Sequence, residues 1–134
     1  MKLLCLNLFS QTVRDSKCDY PAACNSMETL LLHRSHLESH VFGEICSSLK
    51  EEGVTLYSGP RLRNLLTFSP PPAKSLRTEY SSLECTIEIV DNVNDAINHI
   101  NTFGSAHTDS IVTEDGMIIQ YCFYATSLTL NPYS

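Results

Sequence analysis

Short apolar runs separated by polar, turn-forming stretches set the pattern of this chain. "ETLLLH" (28–33) is a continuous apolar run of strand length, as expected for a strand buried on both faces. The period then changes. In "SHLESHVFGEICSSLKEEG" the residues Val41, Phe42, Ile45 and Leu49 share one helical face, Ser35 and Glu38 have capping-box spacing, and Gly53 stands where a helix-ending glycine belongs. "VTLYSG" (54–59) reads as a second strand, which completes a β-α-β unit. Residues 59–82 are less regular, and Pro70, Pro71 and Pro72 cannot continue a helix or a central strand. In "LECTIEIVD" (83–91) Cys85, Ile87 and Ile89 alternate with Glu84, Thr86 and Glu88, the pattern of a strand. Asp91 or Asn92 can cap the next helix, whose apolar positions are Val93, Ala96, Ile97, Ile100 and Phe103 and which ends at Gly104. "SIVTE" (110–114) is predicted to be the strand that closes a second β-α-β unit. The pattern predicts an α/β layer with a mainly parallel sheet.

The two ends differ from this middle. "MKLLCLNLF" is too short an apolar stretch for a spanning helix, is interrupted by Asn7, and has no small-residue cleavage site after it. No Arg/Ser-rich transit segment is visible. From Gly116 to Ser134 there is no charged residue, and the segment reads as one more strand followed by a tail.

Composition narrows the function classes. A chain of 134 residues, 43% of them apolar, has the material for one modest core. Nine Lys and Arg against 15 acidic residues give a net charge of −6, without the clustered cations that nucleic-acid phosphates require. Neither GxGxxG nor GxxxxGK occurs. The six cysteines (Cys5, Cys18, Cys24, Cys46, Cys85, Cys122) are scattered without a CxxC pair and read as mostly reduced thiols.

Cys24 is the first candidate for chemistry. It lies among small residues in "CDYPAACNSMETLLLH" (18–33), where Pro21 fixes the chain's entry and a substrate can approach. Asn25 and Glu28 resemble a capping pair, which would gather N–H donors near the thiol. On spacing alone a nucleophile and a buried structural cysteine both remain open. Cys18, beside Lys17 and Asp19, reads as an exposed-loop residue or as a resolving thiol for Cys24, whereas Cys46 and Cys85 fall on apolar faces. His36 and His40 are four apart around Glu38, but HLESH is not HExxH, and a solvated helix face is the expectation. His107, Thr108 and Asp109 fall between a helix end and the predicted strand, a usual place for function in α/β proteins. His99 is expected near the C-terminal end of its helix, where positive charge suits the dipole.

Taken together, "CDYPAACNSMETLLLH", "KSLRTEY", "ECTIEIVDNVNDAINHI" and "FGSAHTDSIVTED" closely resemble gamma-glutamyl phosphate reductase, in particular the reductase half of animal bifunctional delta-1-pyrroline-5-carboxylate synthase. The resemblance runs from about Val13 to Asp115 and implies an aldehyde-dehydrogenase-like fold. It implies reduction of gamma-glutamyl phosphate to glutamate 5-semialdehyde with NADPH, in proline biosynthesis. The cysteine of the family's "CN" pair, here Cys24 beside Asn25, would be the nucleophile that forms a thioester, with backbone N–H groups holding the oxyanion. His107, Thr108 and Asp109 would shape the region near the site. Relatives are mitochondrial in animals; a cytoplasmic location is the alternative in the absence of a visible transit segment.

The departures from the family give three expected segments: an atypical 1–12, a partial catalytic domain at 13–115, and a charge-free 116–134. Nothing in Met1 to Asp15 resembles the NADPH-binding region, so the chain is expected to be a catalytic-domain core truncated on both sides. Its expected partners are the small-molecule substrate and another subunit, as a homo-oligomer or with the full-length enzyme; nucleic acid and membrane are not expected. The competing readings are a non-catalytic fragment that docks on full-length subunits, and a thiol redox protein using Cys18 and Cys24.

Overall fold

The computed structural model describes residues 2–113 and 115–121, with side chains from Leu8 onward. They divide into two compact units, one ending at Val90 and one starting at Asp91.

The first unit is built on three parallel strands, β1 (Thr29–His33), β2 (Thr55–Ser58) and β3 (Glu84–Val90), in the order β1-β3-β2. The last strand in sequence is therefore the middle strand in space. Register places Leu30 beside Ile87, Leu32 beside Ile89 and Leu56 beside Cys85, so these six side chains share one face. They form a single core with Val13, Val41, Ile45, Leu49, Val54 and Leu62. The expected α/β class with a parallel sheet is what the chain adopts. β1 lies at the edge of the described sheet, and its second face is only partly covered, with Thr29 and Leu31 half-buried.

Two of the helices that complete the core precede β2. In α1 (Lys2–Cys18) the residues Phe9, Val13 and Lys17 recur every fourth position, and all three turn toward the core. This helix runs through the boundary expected near residue 12. In α2 (His40–Glu51) the same spacing buries Val41, Ile45 and Leu49. The cap of α2 is not Ser35. Residues Arg34–His36 form a separate 3₁₀ turn, and Ser39 Oγ accepts the Val41 amide at 3.3 Å instead. His36 and His40 thus do not share one helical face; His36 is half-buried against the Phe9 ring, with centroids 6.5 Å apart. Gly53 ends the helix with φ +81°, the left-handed conformation that favours glycine.

The six-residue helix α3 (Pro60–Leu65) follows β2 directly and begins with proline at its first turn. The rest of 66–83 is irregular apart from a bridge between Ser58 and Pro72.

In the second unit, α4 (Val93–Phe103) is capped by Asn92, whose Oδ1 accepts the Asp95 amide at 3.0 Å. Ile97 is its buried residue, and the Gly104 amide closes the last turn on the Ile100 carbonyl at 2.7 Å. The predicted strand at 110–114 does not form: residues 110–113 are irregular, with Ile111 and Val112 exposed, and Glu114 lies outside the described residues. Strand propensity expresses packing against neighbouring strands, and no described strand pairs with this segment. Residues 116–121 are helical rather than extended; the remainder of the charge-free segment, with Cys122, lies outside the described residues.

Candidate active site

Cys24 sits in the loop that joins α1 to β1. Two consecutive turns shape it: the Ala23 amide donates to the Tyr20 carbonyl and the Ser26 amide to the Ala23 carbonyl, each at 3.0 Å. Pro21, with its fixed φ, opens the first turn. Cys24 and Asn25 stand at the centre of the second, and both are exposed. Among the described residues neither of their amides has a hydrogen-bond partner. The thiol therefore lies beside two adjacent N–H groups that remain open to a ligand or to water. The expected helix cap by Asn25 and Glu28 is absent, because the chain passes from turns directly into β1.

Glu28 has a different task. Its Oε2 lies 3.2 Å from Lys17 Nζ and accepts the Tyr80 amide at 3.0 Å, while Oε1 accepts the Ser81 amide at 3.2 Å. Lys17 is completely buried, a position almost never taken by an unpaired lysine. The Met27 amide also donates to the Ser16 carbonyl at 2.9 Å. Two rungs, Ser16–Met27 and Lys17–Glu28, thus close the neck of the loop that carries Cys24. Sequence reasoning missed Lys17; the available signal was its place in the every-fourth-residue stripe with Phe9 and Val13.

The other thiols are not arranged for chemistry. Cys18 ends α1, half-buried and packed on the core rather than in an exposed loop. Burial raises the Cys18 and Cys46 thiols and pushes Cys85 up to about 12. The four described thiols, Cys18, Cys24, Cys46 and Cys85, are free, and the described residues contain no cluster of metal-ligating side chains.

His107, Thr108 and Asp109 lie in the second unit, in the exposed stretch after α4. His107 Nδ1 and Thr108 Oγ1 are 2.7 Å apart, a hydrogen bond that orients the ring, and Ala106 just before them has φ +61°. His99 is half-buried and packs on Phe103 within α4, with ring centroids 4.9 Å apart.

At one strand-to-helix junction the described residues do not leave room for a cofactor phosphate. Helix α3 follows a strand through Gly59, as a phosphate-binding helix does, but its first amides are already taken by the Glu88 carboxylate. A bound phosphate would have to displace a buried anion there.

No protein-family model matches the chain. Individual proteins do. It is 48% identical over 115 residues to delta-1-pyrroline-5-carboxylate synthase 1 of Oryza sativa subsp. japonica, covering 86% of this chain and 16% of that protein. Identity is 52% over 101 residues to the delta-1-pyrroline-5-carboxylate synthase of Solanum lycopersicum, covering 75% of this chain and 14% of that protein. The gamma-glutamyl phosphate reductase of Picosynechococcus is 44% identical over 108 residues, covering 81% of this chain and 25% of that protein. The crystal structure of gamma-glutamyl phosphate reductase from Thermotoga maritima superposes with a TM-score of 0.79 at 27% identity, covering 87% of this chain and 28% of that one. The chain spans a quarter or less of the length of these curated relatives. It is a homologue of one segment of the gamma-glutamyl phosphate reductases and the delta-1-pyrroline-5-carboxylate synthases, with the aldehyde-dehydrogenase-like α/β fold of that segment.

Proposed function

We propose that this chain supplies the cysteine nucleophile of a reductase acting on gamma-glutamyl phosphate, in proline biosynthesis. The observation that carries this reading is an exposed Cys24 at the centre of a tight turn, with the adjacent Cys24 and Asn25 amides unengaged. Once its proton has passed to solvent, Cys24 Sγ adds to the acyl carbon of the substrate. The carbonyl oxygen becomes an oxyanion within reach of the two open N–H groups. Its collapse breaks the bond to the phosphate oxygen, inorganic phosphate leaves, and a glutamyl thioester remains on Cys24. A nicotinamide cofactor supplies hydride for reduction of such a thioester to glutamate 5-semialdehyde. No described residue is assigned to hold that cofactor, and the chemistry assigned to this chain ends at the thioester. His107, Thr108 and Asp109 belong to the family's signature stretch and are given a shaping role near the site rather than a catalytic one; association with a complete subunit and, by resemblance, a mitochondrial location complete this reading.

The test is direct. Purified chain is incubated with gamma-glutamyl phosphate generated in place from glutamate and ATP by a glutamate kinase, then mapped by mass spectrometry. The expected result is a hydroxylamine-sensitive glutamyl adduct on the Cys24 peptide that vanishes in Cys24→Ala. An adduct of equal yield in Cys24→Ala, or none in the wild type, overturns the reading.

A further inference from the structure

The buried Lys17–Glu28 ion pair lies at the two ends of the Cys24 loop, and nothing in the thioester chemistry above uses it. A lysine with no exposed surface loses its hydration, and only a close counter-charge with satisfied hydrogen bonds makes that position tolerable. Glu28 provides this counter-charge and more. Besides Lys17 Nζ at 3.2 Å, it accepts the amides of Tyr80 and Ser81, which stand just before the central strand. Ser81 has φ +53°, a left-handed conformation uncommon for serine, and its hydrogen bond to Glu28 opposes relaxation of that strain. One carboxylate therefore holds together the end of α1, the start of β1 and the segment leading into β3. Between the end of α1 at Cys18 and the Met27–Ser16 rung, the chain has no regular structure, and turn hydrogen bonds of Ala23 and Ser26 shape the stretch around Cys24.

We propose that Lys17 and Glu28 are positioning residues for the Cys24 nucleophile: their ion pair closes the neck of the loop and holds the turn in which the thiol and the two open amides face the same substrate. This role rests on the reading of Cys24 as the nucleophile. It is a matter of charge pairing rather than of space filling, and two substitutions at one position separate the two. Glu28→Gln keeps the shape and removes the charge, whereas Glu28→Asp keeps the charge and removes one methylene.

Two measurements on the full chain follow from this. The first is hydrogen exchange at the Ala23, Ser26 and Met27 amides, compared with the Ile87 and Ile89 amides of the central strand. Loss of a buried counter-charge is expected to speed the loop amides by about tenfold or more beyond any change at the strand. The second is the rate of Cys24 thioester formation from gamma-glutamyl phosphate. It is expected to fall by about tenfold or more in Glu28→Gln and in Lys17→Met, and to return to within about threefold of wild type in Glu28→Asp. Equal acceleration of loop and strand amides shows a general structural role and overturns the proposal. So does a full rate in Glu28→Gln with a slow Glu28→Asp. If Glu28→Gln and Lys17→Met do not fold, the folded Glu28→Asp chain decides the matter: near-wild-type loop exchange supports positioning by charge, and wild-type strand exchange with an open loop overturns it. A wild-type chain that forms no thioester overturns the functional reading and this role with it. A wild-type thioester with unchanged rates in the variants overturns this role alone.

Discussion

The carboxylate of Glu88 lies 3.0 Å from the amide of Leu62, and through it the central strand caps the helix that follows β2. The second oxygen accepts the Arg61 amide at 3.2 Å. Glu88 is 2% exposed, so these bonds, with that from the Ile89 amide at 2.8 Å, replace nearly all of its hydration. Gly59 makes the approach possible, because a Cβ there would collide with the Glu88 carboxylate. Glu88→Ala and Gly59→Ala are each expected to cost about 2 kcal/mol or more, since both leave α3 amides without their acceptor. The two costs should not add: once Glu88 is truncated, the methyl of Gly59→Ala has nothing to strike. A urea double-mutant cycle giving a coupling of about 1 kcal/mol or more is the expected outcome, and simple additivity overturns the explanation.

The elements legible in the sequence were those whose period survives without tertiary knowledge. β1, β2, β3, α2 and α4 carry unbroken apolar patterns with punctuating residues such as Gly53 and Asn92. Helix α1 was hidden because the third member of its inward stripe is Lys17, a residue that a sequence reading assigns to solvent. The Ser35 cap lost to Ser39 because two capping hydroxyls compete four residues apart, and the 3₁₀ turn at Arg34–His36 consumes the first. Glu88 alternates correctly with Ile87 and Ile89 but is buried, because its partners are backbone amides of α3, twenty-six and twenty-seven residues earlier in the chain. At the site, Pro21 and the small residues marked the loop around Cys24, but the expected cap by Asn25 and Glu28 gave way to two consecutive turns, because the chain enters β1 rather than a helix. The closure of its neck was not legible, since it depends on an ion pair between a helix end and a strand start.

Alkaline stability should report on Cys85. Burial pushes this thiol up to about 12 from an ordinary value of 9.0, with Lys17 acting in the other direction. Between those values the folded chain keeps a proton that the unfolded chain has lost, so stability is intact below pH 9.0 and falls as pH rises toward about 12. Each pH unit of that window removes about 1.4 kcal/mol. The Tyr80 phenol, raised by burial, acts in the same sense above its ordinary value of 10.0, so the comparison with Cys85→Ala isolates the thiol. Urea midpoints from pH 8 to 11 should fall less steeply in Cys85→Ala; parallel slopes overturn the assignment.

Ser26 offers a test of opposite sign. Its hydroxyl oxygen is shielded from solvent and is the buried side-chain polar atom without a hydrogen-bond partner among the described residues. Removing such a group relieves a desolvation cost and deletes no bond. Ser26→Ala is expected to be neutral or to stabilise by about 1 kcal/mol, read from the urea midpoint. A loss of more than about 1 kcal/mol would mean that the hydroxyl holds a partner, such as an ordered water, within the turn.

Thiol accessibility separates Cys24 from its three described neighbours in one experiment. Alkylation requires the thiolate and an open approach, and Cys24 alone among the four is exposed. Cys18 and Cys46 are half-buried with thiols raised by desolvation, and Cys85 has no exposed surface at all. At pH 8 a thiol at about 12 carries about a thousandfold less thiolate than one at its ordinary value of 9.0, before access is considered. Among these four, brief treatment of the native chain with iodoacetamide should therefore modify Cys24 first, with Cys85 modified only as the chain unfolds. Mapping by mass spectrometry at increasing urea concentration gives the order. Labelling of Cys85 at the rate of Cys24 in the absence of urea would show that the core around the central strand opens faster than the reagent reacts, and would remove the basis for treating that thiol as structural.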